Sequence, residues 1–504
     1  MSRDSRKWLA LSALSLAVLL VAVDNTVLAL AIPSLSEDLD PTATQLLWIG
    51  DIYSFVLAGL LITMGNIGDR IGRKRLLMIG LVAFATVSVM AAFARTAGEL
   101  IALRALLGVA GATLMPSTLS LIRSTFPDSR ERTFAVSVWG AVAAFGSGFG
   151  PLLGGVLLEQ FWWGSVFLIN VPIVLVIIAL GAPTLRESKD PAPGSIDVAS
   201  IGLSLSGILL VIAGIKELAA VGALDRNGWV FLLAGVGLSY WFVRRQLRLA
   251  SPLLDMRLFA NPAFSGAVAS DLISVFSLVG VYFFLAQQFQ FVNGDSPLQA
   301  GFWLLPGELG ALVGSLLVTK IVFRSGRRTA IGAGIGMGAV GMLILSLNQL
   351  SGTVLLVTAI VLVGLGFGMS LTGTSDAILA AAPPERAGAA SAVSETAYEL
   401  GSALGIAILG TIAGLYYRHD VVIPAGLPAE AQKATADSLA AATQSAQDLP
   451  TALADAMLSA AQAAYANAFS VACLVAAVIA AAGAVVAFRV LPGKAQEDAA
   501  TAAG

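Results

Sequence analysis

The chain has 504 residues, 57% of them hydrophobic and only 12% charged, with a mean hydropathy of +0.86. A soluble domain carries about 25% charged residues, so this composition describes a polytopic membrane protein, and the longest polar stretch, from about Arg418 to Tyr465, is too short for an enzyme domain. The net charge of −2 argues against a nucleic-acid partner; the single Cys473 excludes an intramolecular disulfide, and the single His419 argues against a histidine-built metal or haem site.

A membrane-spanning helix needs roughly 20 apolar residues. Runs of that kind start near residues 8, 46, 75, 98, 133, 163, 198, 228, 264, 298, 328, 353, 386 and 466, which predicts an all-α protein of about fourteen spans. Arg3, Arg6 and Lys7 precede the first run, and Ala29-Leu30-Ala31 resembles a cleavage site, but a motif described below runs across that point, so the segment is read as a span. Most of the 29 Lys and Arg fall on the side of the N-terminus, whereas the opposite side has Arg95, Lys216, Arg226, Arg418 and Lys433. Positively charged loops stay in the cytoplasm, so both termini are expected there.

An internal repeat divides the spans. Gly146, Ser147, Gly150 and Gly155 on span five recur 255 residues later as Gly401, Ser402, Gly405 and Gly410 on span thirteen. Gly72-Arg73-Lys74, after span two, recurs 254 residues later as Gly326-Arg327-Arg328, after span ten. The expected organisation is therefore a six-span bundle over 1–185, two inserted spans with their linkers over 186–262, a second six-span bundle over 263–490 that includes an extracytoplasmic, partly helical loop near 418–465, and a cytoplasmic tail over 491–504. Two parallel halves around a midplane cavity is a transporter architecture.

Seven acids sit inside these apolar runs: Asp24, Asp51, Asp271, Glu308, Asp376, Glu395 and Glu399. A charge at the centre of a membrane helix costs about 2.5–3.5 kcal/mol or more, so each must meet water, a partner or a cargo. Span two places Trp48, Asp51 and Phe55 on one helix face. An acid between aromatic rings suits a lipophilic cation, with a cation–π contact worth about 0.5–2 kcal/mol. Trp139, Phe276, Trp303 and Tyr398 are further aromatic candidates for a cavity wall. Glu395 and Glu399, four apart, share a face; their mutual repulsion is relieved by a cation or a proton. Glu308 falls near the middle of span ten, which favours a cavity role. Asp271 lies in the third of span nine nearer the cytoplasm. Asp376, close before Pro383-Pro384-Glu385-Arg386, reads as a solvated helix end.

Four strings identify a resemblance. The loop Gly65-Asn66-Ile67-Gly68-Asp69-Arg70-Ile71-Gly72-Arg73-Lys74-Arg75 is similar to the signature loop of the major facilitator superfamily. Its glycines permit a tight turn, and Asp69 can pair with a basic group or cap a helix N-terminus, forming a latch that breaks when the halves rock. Span five carries Gly146-Ser147-Gly148-Phe149-Gly150-Pro151-Leu152-Leu153-Gly154-Gly155, which resembles the antiporter motif of the same superfamily; small residues allow close helix packing and Pro151 can bend the span. Span one, Val23-Asp24-Asn25-Thr26-Val27 to Ala31-Ile32-Pro33, and span four, Arg104-Ala105-Leu106-Leu107-Gly108, are similar to motifs of the fourteen-span drug:proton antiporters.

That resemblance implies export of lipophilic cations (quaternary ammonium compounds, intercalating dyes, fluoroquinolone-like drugs), driven by proton influx without a cofactor, by a monomer in contact with membrane lipid. It implies a proton site at Asp24 and Arg104, where Arg104 sets the carboxylate's proton affinity. Many members read Asn-Thr-x-Arg-Gln-Leu-Gly on span thirteen; here the string is Glu395-Thr396-Ala397-Tyr398-Glu399-Leu400-Gly401, and relatives favouring divalent cations also carry acids there. The competing expectations are a specific metabolite exporter or importer of the same superfamily, which would normally lack the span-five string if it were an importer, and a membrane receptor, in which inward acids would have no purpose. No nucleophile–base constellation, metal cluster or phosphate loop supports an enzyme.

Overall fold

A computed structural model describes residues 3–41, 43–189, 197–221, 225–249, 252–295, 297–347, 353–383 and 386–496. The described residues form helices and no strands. With no water to satisfy backbone N–H and C=O groups in hydrocarbon, an apolar run must close its hydrogen bonds internally. The first group of helices is α1 (Arg3–Leu39), α2 (Ala43–Ile71), α3 (Arg73–Ala92), α4 (Ala97–Thr125), α5 (Ser129–Gln160), the short α6 (Ser165–Leu168) and α7 (Asn170–Thr184). The next pair is α8 (Val198–Val221) and α9 (Arg226–Gln246). The second group is α10 (Pro262–Gln287), α11 (Pro297–Ser325), α12 (Arg327–Ser346), α13 (Thr353–Ala381), α14 (Ala387–Asp420), the short α15 (Ala429–Asp437) and α16 (Leu439–Ala446), and α17 (Thr451–Val490).

Polar side chains set many of the boundaries. Thr96 accepts from Glu99 N–H, Asp128 from Arg130 and Glu131 N–H, Asp225 from Gly228 N–H and Asn261 from Ala263 N–H, each satisfying an orphan donor at a helix start. Gly72 and Gly326 start α3 and α12 with φ of +114° and +84°. Only glycine adopts those angles without strain, which is why the repeated Gly-Arg string marks both turns.

Among the described residues thirteen helices are long and apolar enough to cross a membrane. The α9 helix is not one of them, although its 21 residues reach about 31 Å at 1.5 Å per residue. Its terminal arginines and its Trp and Tyr residues lower its hydropathy. The last helix starts at Thr451, well before the apolar run near 466, because the Ala-rich segment ahead of that run continues the helix out of the membrane.

The two groups repeat one packing scheme. In the first, α1 packs on α5 and α7, α4 on α2 and α3; in the second, α10 packs on α14 and α17, α13 on α11 and α12. Gly146 lies against Leu19 and Ala22 of α1, and Gly401 against Leu272 and Val275 of α10. Those partners are themselves 253 residues apart, so the repeated glycines make the same close helix crossing twice. The groups meet where α5 packs on α11 and α2 on α14.

Candidate functional site

The first half holds a buried ion pair. Asp24 and Arg104 are 1% and 2% exposed, with Arg104 Nη1 donating to Asp24 Oδ2 at 3.2 Å. Asn170 Nδ2 donates to Asp24 Oδ1 at 2.7 Å, and also to Ser88 Oγ at 3.2 Å. Arg104 Nε donates to the Ile49 carbonyl at 3.2 Å, and the guanidinium lies 4.8 Å from the centre of the Tyr53 ring. Four helices and the α7 start thus converge on this buried cluster around the Asp24–Arg104 pair. Asn170, Ser88 and Tyr53 were not singled out from the sequence; a lone Asn heading the apolar run Val171–Ala179 was the available signal.

The central pocket lies between the halves and has a volume of about 190 Å³. Asp271, Glu395 and Glu399 line it, together with Trp139 and Tyr398. No lysine or arginine lines it among the described residues. The Glu395 side chain is almost wholly buried. Asp271 accepts from Thr374 Oγ1 at 2.7 Å and Ser394 Oγ at 3.3 Å, two hydroxyls that sequence reading did not pair with it. Trp139 Nε1 donates to Thr118 Oγ1 at 3.2 Å, which anchors the indole in the pocket wall. On α1, Asn25 and Thr26 line the pocket while the neighbouring Asp24 turns into the first half's core. A helix rotates its side chains by 3.6 residues per turn, so consecutive residues of one motif serve two compartments.

The remaining candidates fall elsewhere. Glu308 sits where α5 meets α11, so close to Gly148 that a Cβ there would lie 2.8 Å from Glu308 Cγ. Trp48 and Phe55 stack edge to face at 6.2 Å, with Trp48 exposed and Phe55 buried, and neither lines the pocket. The side chains of Asp51 and Pro151 lie outside the described residues. Phe276 is buried at the Gly405 crossing, and Trp303 stacks on Phe289 at 5.8 Å.

On the side that carries both termini, two acids bridge the halves. Asp69 pairs with Arg73 at 2.8 Å and accepts from the backbone N–H of Gly388 and Ala389, the start of α14, at 3.2 and 3.3 Å. Arg70 Nε donates to Asn66 Oδ1 at 2.8 Å. Asp376 is 0% exposed, which corrects its reading as a solvated helix end. It accepts from Arg327 Nε at 2.8 Å and from Thr133 Oγ1, on α5, at 3.1 Å, with Arg132 at 3.8 Å. Its nearness to the helix end is real, but its side chain turns inward to α12 and α5. Arg123 also donates across the halves, to the Ala382 carbonyl at 2.6 Å. These contacts close the termini side. In span five, Gly146 and Gly150 pack on α1, Gly154 is buried, and α5 runs as one helix through position 151.

The model of the Major Facilitator Superfamily matches residues 14–406. The chain belongs to that superfamily. It is 46% identical to the multidrug efflux pump LfrA of Mycolicibacterium smegmatis, over 96% of this chain and 97% of that one. It is 39% identical to the methyl viologen resistance protein SmvA of Salmonella typhimurium, over 93% and 94%. It is 32% identical to the tetracenomycin C resistance and export protein of Streptomyces glaucescens, over 81% and 76%. Among solved structures, the human organic anion transporter MFSD10 superposes with a TM-score of 0.61 at 14% identity, covering 94% of this chain and 99% of that one. The proton:xylose symporter XylE gives 0.60 at 15% identity, covering 98% and 97%. At those identities the likeness concerns the fold. This superfamily member is a multi-pass membrane protein.

Proposed function

We propose that the protein is a proton-coupled exporter of lipophilic cations that works by alternating access. The observation that carries this reading is the central pocket, where three carboxyls and the aromatic side chains of Trp139, Phe367 and Tyr398 gather with no lysine or arginine among the described lining residues. Four residues of helix separate Glu395 and Glu399 by about 6 Å along the axis. Two charges at that distance repel by roughly 3 kcal/mol at an effective dielectric of 20, so a cation bound between them relieves a cost already present. The likeness to LfrA and SmvA supports drug efflux of this kind.

In the cycle we propose, a cation enters from the cytoplasm and binds at Glu395, Glu399 and Asp271, with Trp139 and Tyr398 on its faces. Asp51 belongs to the same reading as a further cation site, with Trp48 and Phe55 beside it. Glu308 is placed at the α5–α11 seam, where a change in its charge acts on the fit of the halves. The termini side then closes through Asp69 and Asp376. Protons arriving from outside neutralise carboxylates and weaken the cation's hold. Asp24 is the proposed proton carrier, with Arg104 holding its ionised form and Asn170 fixing its geometry. A pocket of about 190 Å³ is smaller than the roughly 300–1,000 Å³ of a drug site, so the halves must part to admit cargo. The reading places the chain in the plasma membrane of a bacterium, with both termini cytoplasmic, α9 as a fourteenth span, and the divisions 1–185, 186–262, 263–490 and 491–504.

Flux of a quaternary ammonium dye in proteoliposomes with an imposed pH gradient tests the proposal. Accumulation that follows the gradient and collapses with a protonophore is expected. Dye movement indifferent to the gradient would sink proton antiport, and absence of dye movement beside gradient-driven flux of a small neutral or anionic metabolite would favour the metabolite transporter.

A further inference from the structure

The α8–α9 pair takes no part in the pocket, the ion pair or the latches. The two helices are fused through glycines seven apart, Gly207 and Gly214 on one, Gly228 and Gly235 on the other. A Cβ at Gly214 would lie 2.5 Å from Leu232 N, and one at Gly235 2.5 Å from Val211 N. At the end where α9 finishes and α8 begins, a groove of about 780 Å³ lies along the pair. Gly202, Leu203 and Ser206 line it from α8, and Tyr240, Arg244 and Arg248 from α9 and the turn after it. A Cβ at Gly202 would meet nothing within 4 Å, so the floor is open.

The arginines of this groove are not equivalent. Arg245 is committed to Asp197, which accepts from its Nε at 2.7 Å and its Nη2 at 3.0 Å. The Arg245 hydrogen bond, joined by one from Ser200, holds the Asp197 carboxyl well below the usual carboxylate range, so the pair stays charged and internally neutral. Arg244 and Arg248 are exposed, and among the described residues neither has a carboxylate within 4.0 Å. The Arg244 guanidinium stands 6.0 Å from the centre of the Tyr240 ring. Tyr240 and Trp241 are 63% and 66% exposed. Such aromatic side chains mark the headgroup level of a membrane. Positive charge on a loop is common on this side of a membrane protein, and alone it attracts any anionic surface diffusely. Here two guanidiniums with no carboxylate partner among the described residues, four residues apart, line a groove with an open small-residue floor beside Tyr240 and Trp241, which is a recess for one molecule.

We propose that this groove binds the phosphate headgroup of a single anionic phospholipid from the adjoining leaflet, with its glycerol end over Gly202 and Ser206. Guanidinium groups match phosphate oxygens in a planar, paired geometry. The test is native mass spectrometry of the full-length protein in detergent, titrated with phosphatidylglycerol or phosphatidylcholine. One phosphatidylglycerol is expected to bind with clear preference. Arg244→Gln/Arg248→Gln should weaken it roughly thirtyfold, about fivefold per arginine, whereas Arg130→Gln/Arg324→Gln, an equal loss of charge on the same side, should leave it within about twofold. Gly202→Leu, which fills the floor and keeps both arginines, should also remove the preference. Equal binding of the two lipids, an equal loss in the control variant, undiminished binding by Gly202→Leu, or displacement of the lipid by inorganic phosphate would each overturn the proposal.

Discussion

Gly65 of α2 and Gly388 of α14 meet backbone to backbone across the two halves. A Cβ on either would come within 2.6 Å of the other's carbonyl oxygen. Asp69 reaches the start of α14 beside this contact. Such an approach tolerates no side chain, and a small-residue crossing of this kind allows helices their closest packing.

Gly388→Val should therefore open the termini side. Spin labels at Asp128 and Arg324, in a chain lacking Cys473, should show a longer distance population by pulsed dipolar spectroscopy. An unchanged distance distribution would mean that the halves close without this contact.

Asp376→Asn should act in the same direction by a different route. It leaves Arg327 and Arg132 near each other without their shared carboxylate. The same label pair should lengthen, and the apparent unfolding temperature should fall. Breaking one partner of a buried pair costs about 3–5 kcal/mol. A variant as stable and as closed as the parent would reduce Asp376 to a bystander.

Asp24→Asn should abolish gradient-driven export while dye binding measured at equilibrium stays within about threefold, half a kcal/mol or so. Arg104→Ala should be the more damaging change, since it leaves a buried charge beside Asn170, again about 3–5 kcal/mol. The double variant Asp24→Asn/Arg104→Met should recover most of that stability without recovering transport. Full driven export by Asp24→Asn would remove it as the proton carrier.

Glu395→Gln and Glu399→Gln should each impair transport of a dicationic dye more than that of a monocationic one. Each substitution removes an attraction of roughly 3 kcal/mol per cargo charge at 6 Å and an effective dielectric of 20, partly screened in an opened cavity. Equal losses for the two substrates would assign these acids to packing or proton handling instead.

Asp197 gives a pH prediction. Its folded-state pKa is depressed by the Arg245 hydrogen bond. Whatever it contributes is complete above the unfolded value near 4 and is lost only as pH falls through the lower folded value. Asp197→Asn should therefore leave the shape of the transport–pH profile between pH 5 and 8 unaltered. A displaced profile would tie the α8–α9 pair to the proton step.

The order of the spans was readable because hydrocarbon permits few solutions for an apolar run. The repeat was readable because Gly72 and Gly326 serve one unusual backbone angle, and Gly146 and Gly401 one close crossing. Glu395 and Glu399 were placed together by helix geometry alone. What sequence could not supply were partners distant along the chain. Asn170 is 146 residues from Asp24, and Thr374 is 103 from Asp271. Asp376 shows the same limit: its neighbours in sequence describe a helix end, and its neighbours in space are arginines of two other elements.

The α8 helix packs on both α2 and α14, and Leu205 fills the notch at Gly59. It thereby shutters one flank of the molecule, the seam where the two halves meet through α2 and α14. On the other flank, where α5 meets α11, Phe149 and Leu309 stand exposed to the bilayer. An amphiphile already dissolved in the membrane thus meets one walled face and one bare face. The two seams are accordingly unlike in their surroundings: one is backed by a further helix, and the other turns its own side chains outward.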